Sequence, residues 1–172
     1  MGAVEHVVVT GLMASGKTTV GRLLAHRLGW RWRDSDVDIE TARGSTVRQL
    51  RDEEGVAAMH ELEARQLLDA LAEPEPTIIS AAASVVDQET TRAALRRTGV
   101  EVIWLHASPE LLARRFDSSD EHRPAYGDDP EAFLAQQAAD REPLLPEIGA
   151  HVLDVDGRTP DELVAQAMEV LR

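Results

Sequence analysis

The sequence predicts an α/β fold of three layers, in which helices cover both faces of a parallel sheet. Short runs rich in valine and isoleucine, such as residues 6–10 and 77–80, are typical of buried strands. A longer segment with helical spacing follows the first run, with Val20, Leu24 and Leu28 on one face. Because strands that alternate with helices pair in parallel, and 172 residues suit one core, we expect a single domain spanning residues 1–172.

Turn and capping signals divide the chain into its elements. Gly29 suits the end of the first helix, and Thr159, Pro160 and Glu162 form a capping box that opens the last one. Ser45 or Thr46 can cap a helix that Gly55 breaks. The predicted strands are residues 6–10, 30–33, 77–80, 100–105 and 151–155. The other predicted helices are residues 36–42, 57–71, 89–97, 109–116 and 131–141.

One segment between predicted helices lacks apolar periodicity. Residues 117–130 are polar and rich in turn formers, including Pro124 and Gly127. We predict that this segment is a mobile lid. In a parallel α/β sheet the ligand lies beyond the carboxyl ends of the strands, where such a lid closes.

Composition excludes several classes of function. The net charge of −13 disfavours nucleic acid and acidic membrane surfaces as partners. There is no cysteine, which excludes disulfides, thiolate catalysis and cysteine-bound zinc. No apolar run reaches the roughly 18 residues of a membrane span, and no targeting segment is evident, so we expect a cytoplasmic protein. Of the 18 lysines and arginines only Lys17 is lysine, which marks a place where a compact ammonium is needed.

Lys17 lies in a phosphate-binding motif. Residues 11–18 match G-x-x-x-x-G-K-[ST] after a strand and before a helix, as in P-loop nucleotide-binding folds. The loop amides and the helix N-terminus would wrap the phosphates of ATP, with Lys17 on the terminal phosphates and the Thr18 hydroxyl on Mg²⁺. The predicted nucleotide-binding residues are Gly11, Ala14, Ser15, Gly16, Lys17, Thr18 and Thr19. The alternative is an ordinary glycine turn before a helix.

Two aspartates follow the second predicted strand. Asp34 and Asp36 would stand at the ligand edge of the sheet, close to the loop. One carboxylate can hold a Mg²⁺-bound water while the other accepts a hydrogen bond from a substrate hydroxyl, orients it and takes its proton. The alternative is that both only cap the helix that follows.

These motifs, in this order, resemble the shikimate kinase family. The resemblance covers nearly the whole chain, and the D-S-D motif and a later R-P pair narrow it beyond the shared P-loop. Similar segments are residues 11–22, 28–40, 44–50, 55–67, 105–115 and 123–124. The resemblance implies a five-stranded parallel sheet of order 2-3-1-4-5 and an ATP-dependent kinase.

The resemblance also implies roles for single residues. Asp34 resembles the family's aspartate that holds a metal-bound water, and Asp36 the aspartate that holds the substrate hydroxyls. Arg123 resembles the lid arginine that closes on the phosphates, and Arg141 an arginine that grips the substrate carboxylate. Two further arginines lie where the family flanks the adenine: Arg115 and Arg158. The alternative for each arginine is a solvated surface residue.

The chain departs from the family at two places in the substrate half. Residues 81–83 are alanines where the family has three glycines, which adds methyl groups to the wall at Ala82. His60 stands where the family has an arginine that forks onto the carboxylate, and a histidine lacks that planar fork. Glu63, three residues on, could hydrogen-bond His60 and favour its charged form.

We therefore expect an ATP-dependent phosphotransferase that acts on a hydroxyl of a small polar, anionic metabolite. Its catalytic residues would be Lys17, Asp36 and Arg123, with His60, Ala82 and Arg141 at the substrate. The acceptor is shikimate or a related polyol acid, or another acceptor such as a gluconate-like sugar acid or a cyclitol. A third possibility is a regulatory nucleotide-binding module without an acceptor. The sequence carries no signal for an oligomeric state.

Overall fold

The computed structural model, which describes residues 4–117 and 128–172, contains one five-stranded parallel sheet. The strand order is β2-β3-β1-β4-β5, which confirms the order implied by the resemblance. The strands are β1 (His6–Gly11), β2 (Arg31–Asp34), β3 (Thr77–Ser80), β4 (Val100–His106) and β5 (His151–Asp154). Each begins and ends within one residue of its predicted bounds, although only β1 and β3 are buried along their whole length.

The core lies on both faces of the central strand. Val7, Val8 and Val9 are fully buried, and Val8 pairs with Ile79 on one side and Val102 on the other. A run that is apolar on both faces is typical of a parallel strand covered by helices on each side. Burying each such side chain contributes roughly 1.5–3 kcal/mol, so β1 is the anchor from which the phosphate loop leaves the sheet.

The helices form two layers. They are α1 (Lys17–Leu28), α2 (Ser35–Arg43), α3 (Val47–Glu54), α4 (Val56–Ala70), α5 (Glu89–Leu95), α6 (Pro109–Asp117), α7 (Pro130–Arg141) and α8 (Pro160–Val170). The chain moves one way across the sheet from β1 to β2 and the other way from β3 to β4. Because such crossovers are right-handed, α1 and α5 cover opposite faces. Helix α8 packs on α1, and α4 packs on α5.

A second, smaller core holds α2, α3 and α4 together beside the sheet. It consists of Ile39, Val47, Leu50 and Met59. Thr46 begins α3 with a capping box, in which its side chain accepts from the Gln49 amide. This arrangement fixes one wall of the cavity described below independently of the main core.

Two short 3-10 helices were not predicted: Ala83–Val86 after β3 and Glu142–Ile148 after α7. Segments this short carry little periodicity, so their sequence resembles loop. The predicted lid at residues 117–130 falls largely outside the described residues, and it stays a prediction. Within residues 4–117 and 128–172, no helix is long and apolar enough to cross a membrane.

Candidate active site

A cavity of about 450 Å³ opens at the carboxyl ends of the strands. The phosphate loop and α1 line one end, where the lining includes Lys17 and Thr18. Helices α3, α4 and α7 and the segment after β3 line the other end, where it includes His60 and Arg141. Asp36 also lines it. The structure thus brings most of the predicted site residues into one cavity. We call its two ends the phosphate end and the acceptor end.

The phosphate end is built on the N-terminus of α1. Gly16 precedes the helix with φ of 95°, and no side chain caps the helix. The first-turn residues Lys17, Thr18 and Thr19 line the cavity, so their helix terminus presents partial positive charge there. The Lys17 Nζ lies 3.5 Å from the Leu12 carbonyl oxygen, at the outer limit of a hydrogen bond. This end is suited to an anion such as a polyphosphate.

Backbone strain and close packing shape the loop itself. Ala14 has φ of 66°, and it is the one residue other than glycine with positive φ in the described part of the chain. Left-handed alanine is strained, which is common in ligand-binding loops. The Ala14 carbonyl accepts a hydrogen bond from Arg115 Nη1 at 3.1 Å. Gly11 belongs to the base of the loop, since a Cβ there would lie 2.7 Å from the Leu105 carbonyl oxygen. Ser15 is also buried there.

Asp34 links the phosphate loop to α2, so both roles considered for it are compatible with the structure. Its Oδ1 accepts from the Asp36 amide at 3.0 Å and the Val37 amide at 3.3 Å, which caps the helix. Its Oδ2 accepts from the Thr18 hydroxyl at 2.7 Å. The cap fixes the first turn of α2, where the exposed side chain of Asp36 meets the cavity.

A buried serine ties the start of α1 to the sheet. Ser80 Oγ accepts from the Trp32 indole at 3.0 Å and donates to the Lys17 carbonyl at 3.1 Å. Gly21 allows this approach, because a Cβ there would lie 2.2 Å from Ser80 Oγ. Strands β2 and β3 thereby hold Lys17 in place relative to Asp34.

Arg141 is a buried cation at the acceptor end. It is only 5% exposed, and its Nη2 donates to Asp87 Oδ2 at 2.8 Å while Nη1 donates to Gln137. Its Nε is buried without a hydrogen-bond partner among the residues that the structure describes. Buried donors are normally paired, so this Nε is an exception among the buried polar groups.

The expected pairing of His60 with Glu63 is wrong. Glu63 instead accepts a hydrogen bond from the Ser84 hydroxyl, which the 3-10 helix after β3 brings to it. Burial lowers the pKa of His60, and the positive charges of Arg141 and Arg51 lower it further, although Asp87 opposes them. His60 is therefore held toward its neutral form, the reverse of the charged form that we expected.

The alanines at 81–83 fit without strain. Ala82 has φ of −61° and ψ of 152°, which any residue adopts, and its carbonyl accepts from the Thr10 hydroxyl at 3.1 Å. Ala81 is fully buried, whereas Ala82 and Ala83 are partly exposed where they line the cavity. The methyl groups occupy space on the acceptor wall at no conformational cost.

Several cavity residues were not among the predicted site residues, including Arg51, Phe133 and Gln137. Arg51 lies one helical turn after Val47, and Phe133 and Gln137 lie on the face of α7 that ends in Arg141. The i, i+4 spacing was a signal for Phe133 and Gln137, since Arg141 on the same helix was already expected at the substrate. No motif singles out such residues.

The remaining predicted arginines are placed differently. Arg115 contacts the phosphate loop through Ala14, whereas Arg158 donates to the Asp154 carbonyl in the turn after β5. Neither lines the cavity, and their adenine-flanking role stays a prediction. Arg123 lies outside the described residues.

Glu63 makes the free energy of unfolding depend on pH. Burial raises its pKa from 4.5 to about 7, with the nearby charge of Asp36 adding to the rise and Lys17 and Arg141 opposing it. The folded protein therefore binds more protons than the unfolded chain between these values, and stability falls as pH rises through them. We expect Glu63→Gln to be more stable than wild type at pH 8 by up to about 3 kcal/mol, and equally stable near pH 4.5.

Urea unfolding at both pH values measures this difference. Glu61→Gln is the matched control, because Glu61 is an exposed carboxylate on the same helix that accepts from Gln88. It should show no pH-dependent gain. If Glu63→Gln increased the free energy of unfolding equally at both pH values, the raised pKa of Glu63 would be contradicted.

Comparisons with known proteins agree with this geometry. The sequence model of the shikimate kinase family matches residues 13–172. Shikimate kinase of Symbiobacterium thermophilum is 40% identical over 170 residues, which is 97% of this chain and 96% of that protein. That of Streptomyces coelicolor is 34% identical over 165 residues, or 96% and 94%.

Solved structures give the same result. Shikimate kinase from Acinetobacter baumannii in complex with shikimate superposes with a TM-score of 0.86 and 26% identity, over 98% of this chain and 93% of that one. A gluconokinase from Sinorhizobium meliloti, at 22% identity and a TM-score of 0.69 over 99% and 93% of the two chains, shares the fold. The chain belongs to the shikimate kinase family and is an ATP-dependent small-molecule kinase.

Proposed function

We propose that this kinase phosphorylates a hydroxyl of a compact anionic polyol, and that shikimate is not its preferred acceptor. The observation that carries the proposal is the acceptor end of the cavity. There a neutral His60 and the methyl groups of Ala82 and Ala83 replace the arginine fork and the glycine wall to which the family resemblance pointed. At the phosphate end, Gly16, Lys17 and Thr18 of the phosphate-binding motif line the same cavity, which supports ATP as the donor.

The phosphate end would hold the nucleotide through the N-terminus of α1 and the Lys17 ammonium. The oxygens of Thr18 and Asp34, joined by a 2.7 Å hydrogen bond, are hard ligands of the kind that Mg²⁺ prefers beside phosphates, directly or through water. We assign the metal position to these two residues. When bound, Mg²⁺ neutralises charge on the phosphate oxygens.

Asp36 would orient the acceptor. Its carboxylate, fixed on the capped first turn of α2, accepts a hydrogen bond from the acceptor hydroxyl. That oxygen attacks the terminal phosphorus in line, the bond to the bridging oxygen of ADP breaks, and the hydroxyl proton passes to Asp36. Lys17 stabilises charge that develops on the transferring group.

The acceptor end favours an anion. Arg51 and Arg141 line it, and both carry a positive charge. Replacing a charged fork by a neutral imidazole removes a hydrogen bond worth about 1.5–3 kcal/mol, or about tenfold or more in affinity for a carboxylate of fixed position. The added methyl groups act in the same direction by reducing the space for a ring.

An ADP-release assay with ATP and MgCl₂ tests the proposal against hydroxy acids, sugar acids, cyclitols, neutral sugars and shikimate. We expect an anionic polyol other than shikimate to have the highest kcat/KM, with shikimate about tenfold or more below it. His60→Arg should restore part of the shikimate value. Shikimate as the best substrate of the wild-type protein would overturn the choice of acceptor, and no turnover with any compound would favour the regulatory module.

A further inference from the structure

We propose that Arg51, on the last turn of α3, binds the anionic group of the acceptor and takes the place of the fork that His60 lacks. This inference rests on the proposed function, since it specifies how that acceptor is held. Arg51 is not at the position where the family resemblance placed an arginine; it reaches the acceptor end from a different helix.

Arg51 lies on the wall of the acceptor end. It lies four residues after Val47, so both project from one face of α3, and both line the cavity. Leu50, the residue before it, is buried in the small core, which fixes the rotation of the helix. The neighbouring cavity residues Val56 and Met59 lie on α4. Arg51 thus stands on the wall where α3 meets α4, beside His60.

Arg141 and Lys17 also line the cavity, but each is limited as a partner for the anionic group of the acceptor. Two of the three guanidinium nitrogens of Arg141 already donate to Asp87 and Gln137, and the side chain is almost fully buried. Its charge is balanced by Asp87. Lys17 stands at the other end, on the phosphate loop. A carboxylate at the acceptor end would also meet the guanidinium of Arg51, which lines the cavity and is partly exposed.

The electrostatics of His60 are consistent with this position of Arg51. Both Arg141 and Arg51 lower its pKa, which places the imidazole within the field of the two guanidinium groups. An anion bound there would meet two cations, while the neutral imidazole contributes one further polar contact. The acceptor class that fits is a polyol with one carboxylate: its charged group lies toward Arg51 and Arg141, and a hydroxyl lies at Asp36.

Steady-state kinetics with the best acceptor from the panel test this assignment. We expect Arg51→Gln to raise KM for the anionic acceptor about 10–100-fold, with kcat and the KM for ATP changed by less than about threefold. Arg51→Lys should be intermediate, because an ammonium keeps the charge without the fork. The KM for a neutral analogue of the acceptor should be the same in Arg51→Gln as in wild type. The matched control is Arg48→Gln, an exposed arginine on the same helix that lies 4.0 Å from Asp52.

A second readout separates binding from folding. In the protein without acceptor, Arg51→Gln should raise the pKa of His60, followed by NMR of its ring, because one of the two cations is removed. If wild type turns over the anionic acceptor and Arg51→Gln has the same KM for it, this inference is overturned while the proposed function stands. A panel in which no anionic compound is turned over would overturn the proposed function, and this inference with it.

Discussion

Lys17→Ala is expected to lower kcat by about 10²–10³-fold or more, since it removes the ammonium that stabilises charge on the transferring phosphoryl group. Lys17 is the first residue of α1, and it lies at the phosphate end of the cavity with the helix N-terminus. The interaction strengthens as charge develops in the transition state, so the loss should appear in kcat more than in KM for ATP. An ADP-release assay with saturating ATP and acceptor measures it.

Two variants make this prediction specific. Arg22→Ala removes an exposed cation from the same helix and should leave kcat unchanged. Lys17→Arg keeps the charge but should also be strongly impaired, because a planar, bulkier guanidinium does not fit a cradle built for an ammonium. The composition supports this expectation, since arginine occupies the other 17 basic positions and not this one. Wild-type turnover in Lys17→Ala would show that the P-loop does not serve catalysis.

The fold was predictable because its signals are local. A buried strand followed by a capped, amphipathic helix is recorded in a short stretch of sequence, as at Val7 to Val9 and at Thr159. The strand order followed from the family resemblance rather than from periodicity. The 3-10 helix at Ala83–Val86 escaped prediction, because contacts such as that of Ser84 with Glu63 come from elsewhere in the chain.

The two ends of the active site also differ in whether their signals are local in the sequence. The phosphate end is one continuous motif, so Gly16, Lys17 and Thr18 were found from sequence and meet in one cavity. The acceptor end is assembled from three helices and a loop, and no spacing along the chain joins Arg51 to Arg141. The partner of Glu63 was predicted wrongly for the same reason. His60 was inferred from its spacing on the same helix, whereas the actual partner, Ser84, lies on another element.

Asp36→Asn is expected to lower kcat by about 10²–10⁴-fold while leaving the KM for ATP within about threefold. The amide keeps the size of the side chain and one oxygen acceptor, but it cannot take the proton of the acceptor hydroxyl. The backbone should not move, because the Asp36 amide stays bonded to Asp34 Oδ1 at 3.0 Å. The change therefore separates proton acceptance from the shape of the site.

Asp52→Asn is the matched control, since it neutralises an exposed carboxylate on the neighbouring helix α3. Comparable loss of ATP affinity and of kcat in Asp36→Asn would assign Asp36 to the metal position predicted for Asp34. A further consequence concerns Glu63, whose pKa is raised in part by the charge of Asp36. Asp36→Asn should lower the pKa of Glu63 and so weaken the pH dependence of stability. A fall in kcat with an unchanged KM for ATP would support Asp36 as the proton acceptor, and a weaker pH dependence would show that its charge acts on Glu63.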